Sequence, residues 1–420
     1  MKDRNENRPN YKKTKLWWIP EEWEITILCH VADIIFSNVD KKINPDEHDV
    51  LLCNYTDVYY NEHITSDIDF MQGTASTREI EKYRLRRGDV VVTKDSETPN
   101  DIAVSAIVRE DVSNLICGYH LAIIRPQDNR LSGEYLNKLL DARLIRHTFS
   151  TLASGVTRFG LTSNAIKNTL IPLPPLPEQR KIAEILYTWD DAIEWMCKLI
   201  DAEKRRKKAL MHHLLSGMKG FKNVSRDEWR VRSLGELVEP VSRPEPKPKK
   251  AYLSIGIRSH GKGTFQKIVE FPEKVFMDTL YQVESKDLIV NITFAWEGAI
   301  AIAAEQDTGG LVSHRFPTYH LKAKEVNIDF FRNLIQTKRF VFDLGLISPG
   351  GAGRNRVLNQ KDFLRLRVSV PSLETQTEIA KILKAADDEI SLLEGYLDAL
   401  YRQKSGLMQR LLAGEVRVKT

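Results

Sequence analysis

Gly256 to Lys262 spells G-x-x-x-x-G-K, the spacing at which a glycine-rich loop cradles phosphates and a lysine reaches them. The next residue is Gly263 rather than Ser or Thr, so the magnesium-binding hydroxyl is missing, and no acidic strand end follows. Nucleotide hydrolysis is not expected. Asp89, Lys94, Asp95 and Glu97 form a second cluster, of a kind that can hold a divalent metal in a nuclease. A similar stretch further on keeps Asp287 but has Asn291, Ile292, Thr293 and Phe294 where the polar run would fall, which speaks against shared chemistry. The ten histidines show no H-E-x-x-H spacing, and His212 and His213 lie on adjacent faces of a helix. There is no G-x-S-x-G elbow and no G-x-G-x-x-G after a strand.

What remains is chemistry suited to binding. Two turns, Ser154-Gly155-x-Thr157-Arg158 and Gly350-Gly351-x-Gly353-Arg354-Asn355-Arg356, combine glycine with arginine. Glycine lets backbone amides approach a phosphate, and arginine offers a bidentate fork to phosphate or guanine. Lys94 and Ser96 follow an apolar strand, while Arg258, His260 and Lys262 sit in a glycine-bearing loop; both places suit base or phosphate contacts, and both equally suit a solvated loop. Trp296 can wedge against bases or serve as core. The formal net charge of +5 and a pI near 8.8 are compatible with a polyanionic partner.

The elements that must position these residues come twice. Residues 174–217 align without gaps onto 371–414, with about 19 of 44 positions identical. Glu22-Trp23 answers Glu228-Trp229, and Tyr83, Asp89 and Val92 answer Tyr281, Asp287 and Val290. The organisation expected is a first globular domain (1–173), a long helix (174–217), a second globular domain (218–370), a second long helix (371–414) and a short tail (415–420). The fold class is α+β, with mixed α/β domains. Strands are predicted over 90–93, 103–108 and 121–125, and over 288–293, 299–303 and 318–321; helices are predicted over 132–149 and 326–344.

Ile379, Leu383, Ala386, Ile390, Leu393, Leu397, Leu400, Leu407 and Leu411 follow alternating four and three spacing, broken only by Lys404. Ile182, Leu186, Trp189, Ile193, Met196, Ile200, Leu210 and Leu214 repeat it, with Glu203 and Lys207 in the seam. Prolines 172, 174, 175 and 177 mark the first start, and Gly217 and Gly414 the stops. Each helix is expected to run near 38 residues, roughly 57 Å. The two must pair with each other, with a partner, or within a larger helical core. Cys29, Cys53, Cys117 and Cys197 have no C-x-x-C pairing and are read as reduced thiols of a cytoplasmic protein; no apolar run is long enough for a membrane span.

The duplicated pattern P-x-x-x-x-Q-x-x-I-A-x-I-L-x-x-x-D-D, running into a helix that ends L-M-x-x-L-L-x-G, resembles the conserved regions of type I restriction-modification specificity subunits. Gly88-Asp89 and the Ser-His-Arg-Phe run at 313–316 are similar to that family's recognition domains. One departure is Ser372-Leu373-Glu374-Thr375 in place of the proline-rich 175–178. The resemblance implies that the two helices pair as an antiparallel coiled coil with pseudo-two-fold symmetry. It implies two target-recognition domains, each reading half of a bipartite DNA site, and no catalysis by the chain itself. It adds Arg315 to the candidate DNA contacts and places Gln179, Arg180, Asp190, Gln376 and Asp387 at partner interfaces. The implied partners are double-stranded DNA, two methyltransferase subunits and two motor-endonuclease subunits, which would carry S-adenosylmethionine, ATP and magnesium.

Overall fold

The computed structural model describes residues 5, 6, 8–127, 129–216, 229–350 and 356–419; Gly217, Glu228, Gly351, Gly353, Arg354 and Asn355 fall outside them. The chain forms two compact units, 1–196 with 396–420, and 197–395. The first is discontinuous in sequence, its second segment being supplied by the end of the second long helix and the tail. Each unit takes one half of each long helix, because the hydrophobic seams bury those halves together.

The first unit is built on an antiparallel sheet in the order Ala32–Phe36, Leu121–Pro126, Val90–Thr93, Ser105–Val108, with His63–Ile64 added in parallel at one edge. The second repeats the first four positions: Val238–Val241, Thr318–Leu321, Leu288–Val290, Ile300–Ile302, again antiparallel throughout. Successive side chains point to opposite faces of a strand, so an unbroken apolar run means that both faces are covered. Val90, Val92, Ala122 and Ile124 join a core with Tyr135, Leu139 and Leu186 of the helices, whereas Val91, Ala106 and Ile123 face a core with Leu52 and Ile116. The latter residues belong to a second sheet, Leu115–Cys117, His48–Cys53 and Met71–Ala75. Its counterpart in the second unit is a five-stranded sheet in which Tyr252–Ile257 lies between Leu311–Val312 and Thr264–Val269.

A two-stranded clasp closes each globular part. Glu24–Ile27 pairs with Leu170–Leu173, and Arg230–Ser233 with Arg367–Val370, so chain entry and exit lie side by side just before the long helix. The helices predicted over 132–149 and 326–344 are each split. Ala142 breaks the first into Gly133–Asp141 and Arg143–Leu152 by adopting ψ 133°; Thr337 caps Lys338–Leu346 after Ile328–Leu334, its hydroxyl accepting from the Phe340 amide at 3.3 Å.

The long helices are Leu176–Leu215 and Leu373–Leu412, of 40 residues each. Where the proline-rich start is lost, the Ser372 hydroxyl accepts from the Thr375 amide at 3.3 Å and caps the second helix instead. Gly414 ends it at φ +69°, and a Cβ there would fall 2.4 Å from Pro20 Cδ. In the first unit Ile182, Ala183 and Leu186 share a core with Met408, Leu411 and Leu412; in the second, Leu214 and Leu215 share one with Ile379, Ala380 and Leu383. Lys207, Arg206 and Lys204 pair with Asp387, Glu389 and Glu394, rising along one helix as the partners fall along the other. The pairing is antiparallel, in a coiled-coil manner.

The polar interruptions of the seam find each other. In the first unit Lys404 pairs with Asp190, and in the second Lys207 pairs with Asp387 at 2.5 Å. Asp190 and Asp387 are equivalent positions of the repeat, as are Lys207 and Lys404, so each aspartate meets the lysine of the other copy. An antiparallel pair of equal repeats requires this reciprocity, as an isologous interface does. Among the described residues no helix is long and apolar enough to cross a membrane.

Candidate nucleic-acid interface

In each unit the segment after the third sheet strand lies beside the turn that precedes the clasp. The Leu161 amide donates to the Lys94 carbonyl at 2.8 Å, and the equivalent Leu358 amide to the Ile292 carbonyl at 2.8 Å. A third segment joins them: the Lys94 amide donates to His120 O at 3.1 Å, and the Ile292 amide to Arg315 O at 3.0 Å. The backbone thus brings three loops together in the same way twice. Their side chains differ.

In the first unit Asp95–Ser96 pairs with Phe159–Gly160, which pairs with Ser154–Gly155. The resulting hairpin carries Val156, Thr157 and Arg158 into solvent, with Val156 92% exposed. The Lys94 ammonium lies 4.5 Å from the Tyr119 ring and 5.6 Å from that of Phe36, and His120 Nδ1 is 2.9 Å from Asp95 Oδ2. Lys94, Thr157 and Arg158 are therefore gathered at one end of the unit. Ser96 is not available there: it is buried in its strand, and its hydroxyl accepts from the Thr98 amide at 3.2 Å. Tyr119, half exposed beneath Lys94, is a candidate that sequence reasoning missed. Its signal was the repeat itself, since Tyr119-His120 occupies the place of His314-Arg315. Tyr59 stacks on Tyr55 at 5.4 Å in a short helix of this unit, and its hydrogen bond to Asp101 pushes its hydroxyl above the usual tyrosine range.

The second unit places His260, Trp296 and Arg356 around one open concavity of about 950 Å³, together with Lys208, Lys338 and Glu297. The 258–263 loop reaches it through the His260 amide, which donates to Glu297 O at 2.8 Å. His260, Gly261 and Gly263 all have positive φ, which suits glycine and costs a histidine backbone strain. The loop joins Tyr252–Ile257 to Thr264–Val269 as a hairpin, so G-x-x-x-x-G-K here leads into a strand, and no helix N-terminus faces a phosphate. Arg258 turns back, donating to Thr264 O at 2.7 Å and lying 5.3 Å from the Phe265 ring; neither it nor the exposed Lys262 lines the concavity. Arg315 is exposed.

Two expectations change here. Arg356 was expected to offer a bidentate fork, but its Nε donates to Ser348 O and its Nη2 to Gly345 O, both at 3.1 Å, which commits the Nε–Nη2 edge to holding its own turn and leaves the Nη1 side for a ligand. Its guanidinium is 5.3 Å from the centroid of Trp296, whose Nε1 donates to Thr293 O at 3.2 Å. Trp296 is half-buried, held as a wall of the concavity rather than projecting as a wedge. Arg354 and Asn355 lie outside the described residues.

The residues expected at partner interfaces are mostly spent inside the fold. Gln179 is 0% exposed. Its Oε1 accepts from the Ser132 amide at 2.9 Å, and its Nε2 donates to Arg130 O and Pro174 O at 2.9 and 2.8 Å. Gln376 repeats this with the Asn327 amide at 2.8 Å, Pro371 O at 3.0 Å and Glu325 O at 3.3 Å. Both glutamines fasten a globular part to its long helix, and buried amides with every group satisfied have nothing left for a partner. Asp190 is taken by Lys138 at 2.5 Å and by Lys404. Asp387 is half exposed and holds Lys207; Arg180 is exposed.

Asp89, considered above as part of a metal cluster, is buried and takes a bidentate pair from Arg125 at 2.8 and 2.7 Å. Asp287 takes Arg243 at 2.6 and 3.2 Å. The matched aspartates are structural anchors for the strand that follows. Their carboxylates, already neutralised by arginine, are poor metal ligands. Among the described residues no group of three or more His, Cys, Asp or Glu could hold a metal ion.

The geometry is that of a duplicated binding scaffold with unlike loops, and comparison with known proteins names its class. The chain belongs to the type I restriction modification DNA specificity domain family, whose model matches residues 20–202 and 226–402. It is 27% identical, over 98% of its length and 97% of the relative's, to a protein of Methanocaldococcus jannaschii assigned as the type I restriction enzyme MjaX specificity subunit. It is 26% identical to the MjaVIII specificity subunit of that organism over 60% of this chain and 63% of that one. Among solved structures, the HsdS subunit from Thermoanaerobacter tengcongensis shares the fold at TM-score 0.55 and 16% identity, over 96% of this chain and 100% of that one. A chain from a study of complex assembly and conformational transition of the type I R-M system does so at TM-score 0.61 and 16% identity, over 95% and 99%. The chain is accordingly a specificity subunit with two target-recognition domains, and a non-catalytic one.

Proposed function

We propose that this chain reads a bipartite, asymmetric DNA target, each unit recognising one half through the three-loop end described above. The paired helices set the unread gap. Two methyltransferase subunits, and two motor-endonuclease subunits where the system restricts, would dock on the chain and carry S-adenosylmethionine, ATP and magnesium. The observation that supports this most is the contrast within the repeat. The scaffold is duplicated down to the bonds of Gln179 and Gln376, while the loops it presents share almost no side chains. One scaffold with two dissimilar reading ends suits a target whose halves differ.

The test is a footprint of the chain in complex with its methyltransferase, alongside mapping of modified bases in the source cell. Two protected, unlike half-sites with an unprotected gap are expected. Substituting Arg158 should relax preference in one half, and substituting His260 or Arg315 in the other. A single continuous site, or loss of preference in both halves from one substitution, would defeat the proposal.

A further inference from the structure

The first long helix carries the basic run Lys204-Arg205-Arg206-Lys207-Lys208. Three of these cations are spent on the second helix: Lys204 on Glu394 at 2.7 Å, Arg206 on Glu389 at 2.5 Å and Lys207 on Asp387 at 2.5 Å. Lys208 differs. It is exposed, has no ion pair among the described residues, and forms part of the wall of the concavity that His260, Trp296, Lys338 and Arg356 line in the second unit. Among the described residues Glu297 is the one carboxylate on that wall, and it accepts from the Ser259 hydroxyl at 2.8 Å. Four cationic or ionisable basic side chains thus converge on an open space against one acid, and one of the four comes from the rod rather than from the recognition domain.

We infer that Lys208 contacts the phosphate backbone of the DNA bound at the second unit, so that the helix takes part in binding as well as in spacing. The inference rests on the proposed DNA reading and extends it to a residue outside the recognition loops. A lysine suits such a contact, because a compact, strongly hydrated point charge on a flexible stem finds a phosphate without the fixed geometry that base reading demands. The contact is one-sided. The equivalent position in the second helix is Ser405, so the first unit has no matching cation on its rod.

The test is the salt dependence of DNA binding by the full chain in complex with its methyltransferase. Each phosphate contact adds about 0.9 to the slope of log K against log salt. Lys208→Gln is expected to lower the slope by about one contact, so that the affinity lost between 50 and 150 mM salt shrinks by about 2.7-fold. Discrimination between target and scrambled half-sites should not change, because a phosphate contact carries no sequence information. Lys208→Arg should keep the slope. Lys204→Gln removes the same charge one turn away, from a residue already paired, and should leave the slope near wild type. An unchanged slope in Lys208→Gln, or equal falls in Lys208→Gln and Lys204→Gln, would overturn the contact while leaving DNA recognition standing. Absence of specific binding by the wild-type complex would overturn both.

Discussion

Asp190 and Asp387 occupy the same position in the two repeats, so replacing each by asparagine gives a matched experiment within one molecule. In the first unit Asp190 is 15% exposed and faces two lysines, Lys138 at 1% and Lys404 at 17%. Burial disfavours the charge on Lys404, but its hydrogen bond to Asp190 and the surrounding carboxylates prevail and hold it above the usual lysine range. Removing one partner of a buried ion pair typically costs about 3–5 kcal/mol, because the other charge is left unpaired out of water. Lys138 retains Glu62, which moves the expectation for Asp190→Asn to the lower end, about 3 kcal/mol. Asp387 is 50% exposed and pairs with Lys207, so Asp387→Asn should cost at most about 1 kcal/mol. For units of this size about 3 kcal/mol corresponds to a fall of roughly 6–12 °C in the melting temperature. Thermal unfolding followed by tryptophan fluorescence and circular dichroism would measure it. Asp190→Leu combined with Lys138→Met and Lys404→Met should recover much of the loss, since an apolar set can replace a buried charge cluster. Equal effects of the two single substitutions would refute the reasoning, which depends wholly on their different burial.

Other outcomes follow from the same physics. Gln179→Ala should destabilise by about 3 kcal/mol, leaving the buried Ser132 amide without its acceptor and two carbonyls without their donor, and Gln376→Ala should behave alike in the other unit; urea titration reads both. Asp89→Asn should lower stability through loss of the buried Arg125 pair, with no cleavage activity to lose; a melting curve and a Mg²⁺-dependent nicking assay check the two halves of that statement. Burial and the Arg109 guanidinium hold His63 below the ordinary imidazole range, with Glu62 and Asp191 opposing and Lys138 assisting. Its neutral form is thus favoured by folding, so that stability is complete above about pH 6.5 and declines as the pH falls through the unfolded value toward the lower folded one; His63→Gln should flatten that decline in stability measured from pH 7 to 5. Inserting one heptad at the middle of both helices preserves the seam and adds about 10.5 Å of rod, which should widen the DNA gap by roughly three base pairs; modified-base mapping would show an unchanged gap if the rods do not set it.

The long helices were legible because their signal is periodic and local: seam, proline start and glycine stop all lie in the covalent neighbourhood of the residues they control. The strands Val90–Thr93 and Leu288–Val290 were legible for a related reason, since burial on both faces leaves an unbroken apolar run. The second sheet was not. Residues such as Thr264–Val269 alternate weakly and have exposed side chains, so only pairing with distant strands defines them. Gln179 and Gln376 stood out by recurrence, but recurrence does not say whether a polar side chain faces a partner or the interior. Lys208 gave no signal in a run of five basic residues; only the fold shows that three of the five meet acids of the opposite helix and that Lys208 lines the concavity.

Every bond made by the Gln179 side chain ends on main chain: the Ser132 amide and the carbonyls of Arg130 and Pro174. The same holds for Gln376 with Asn327, Glu325 and Pro371. A socket of this kind is blind to the identity of what is plugged into it, since each residue type except proline offers the same amide and carbonyl. Recognition domains of unrelated surface sequence could be exchanged on an unaltered rod, provided that they present one short stretch of backbone in the right place.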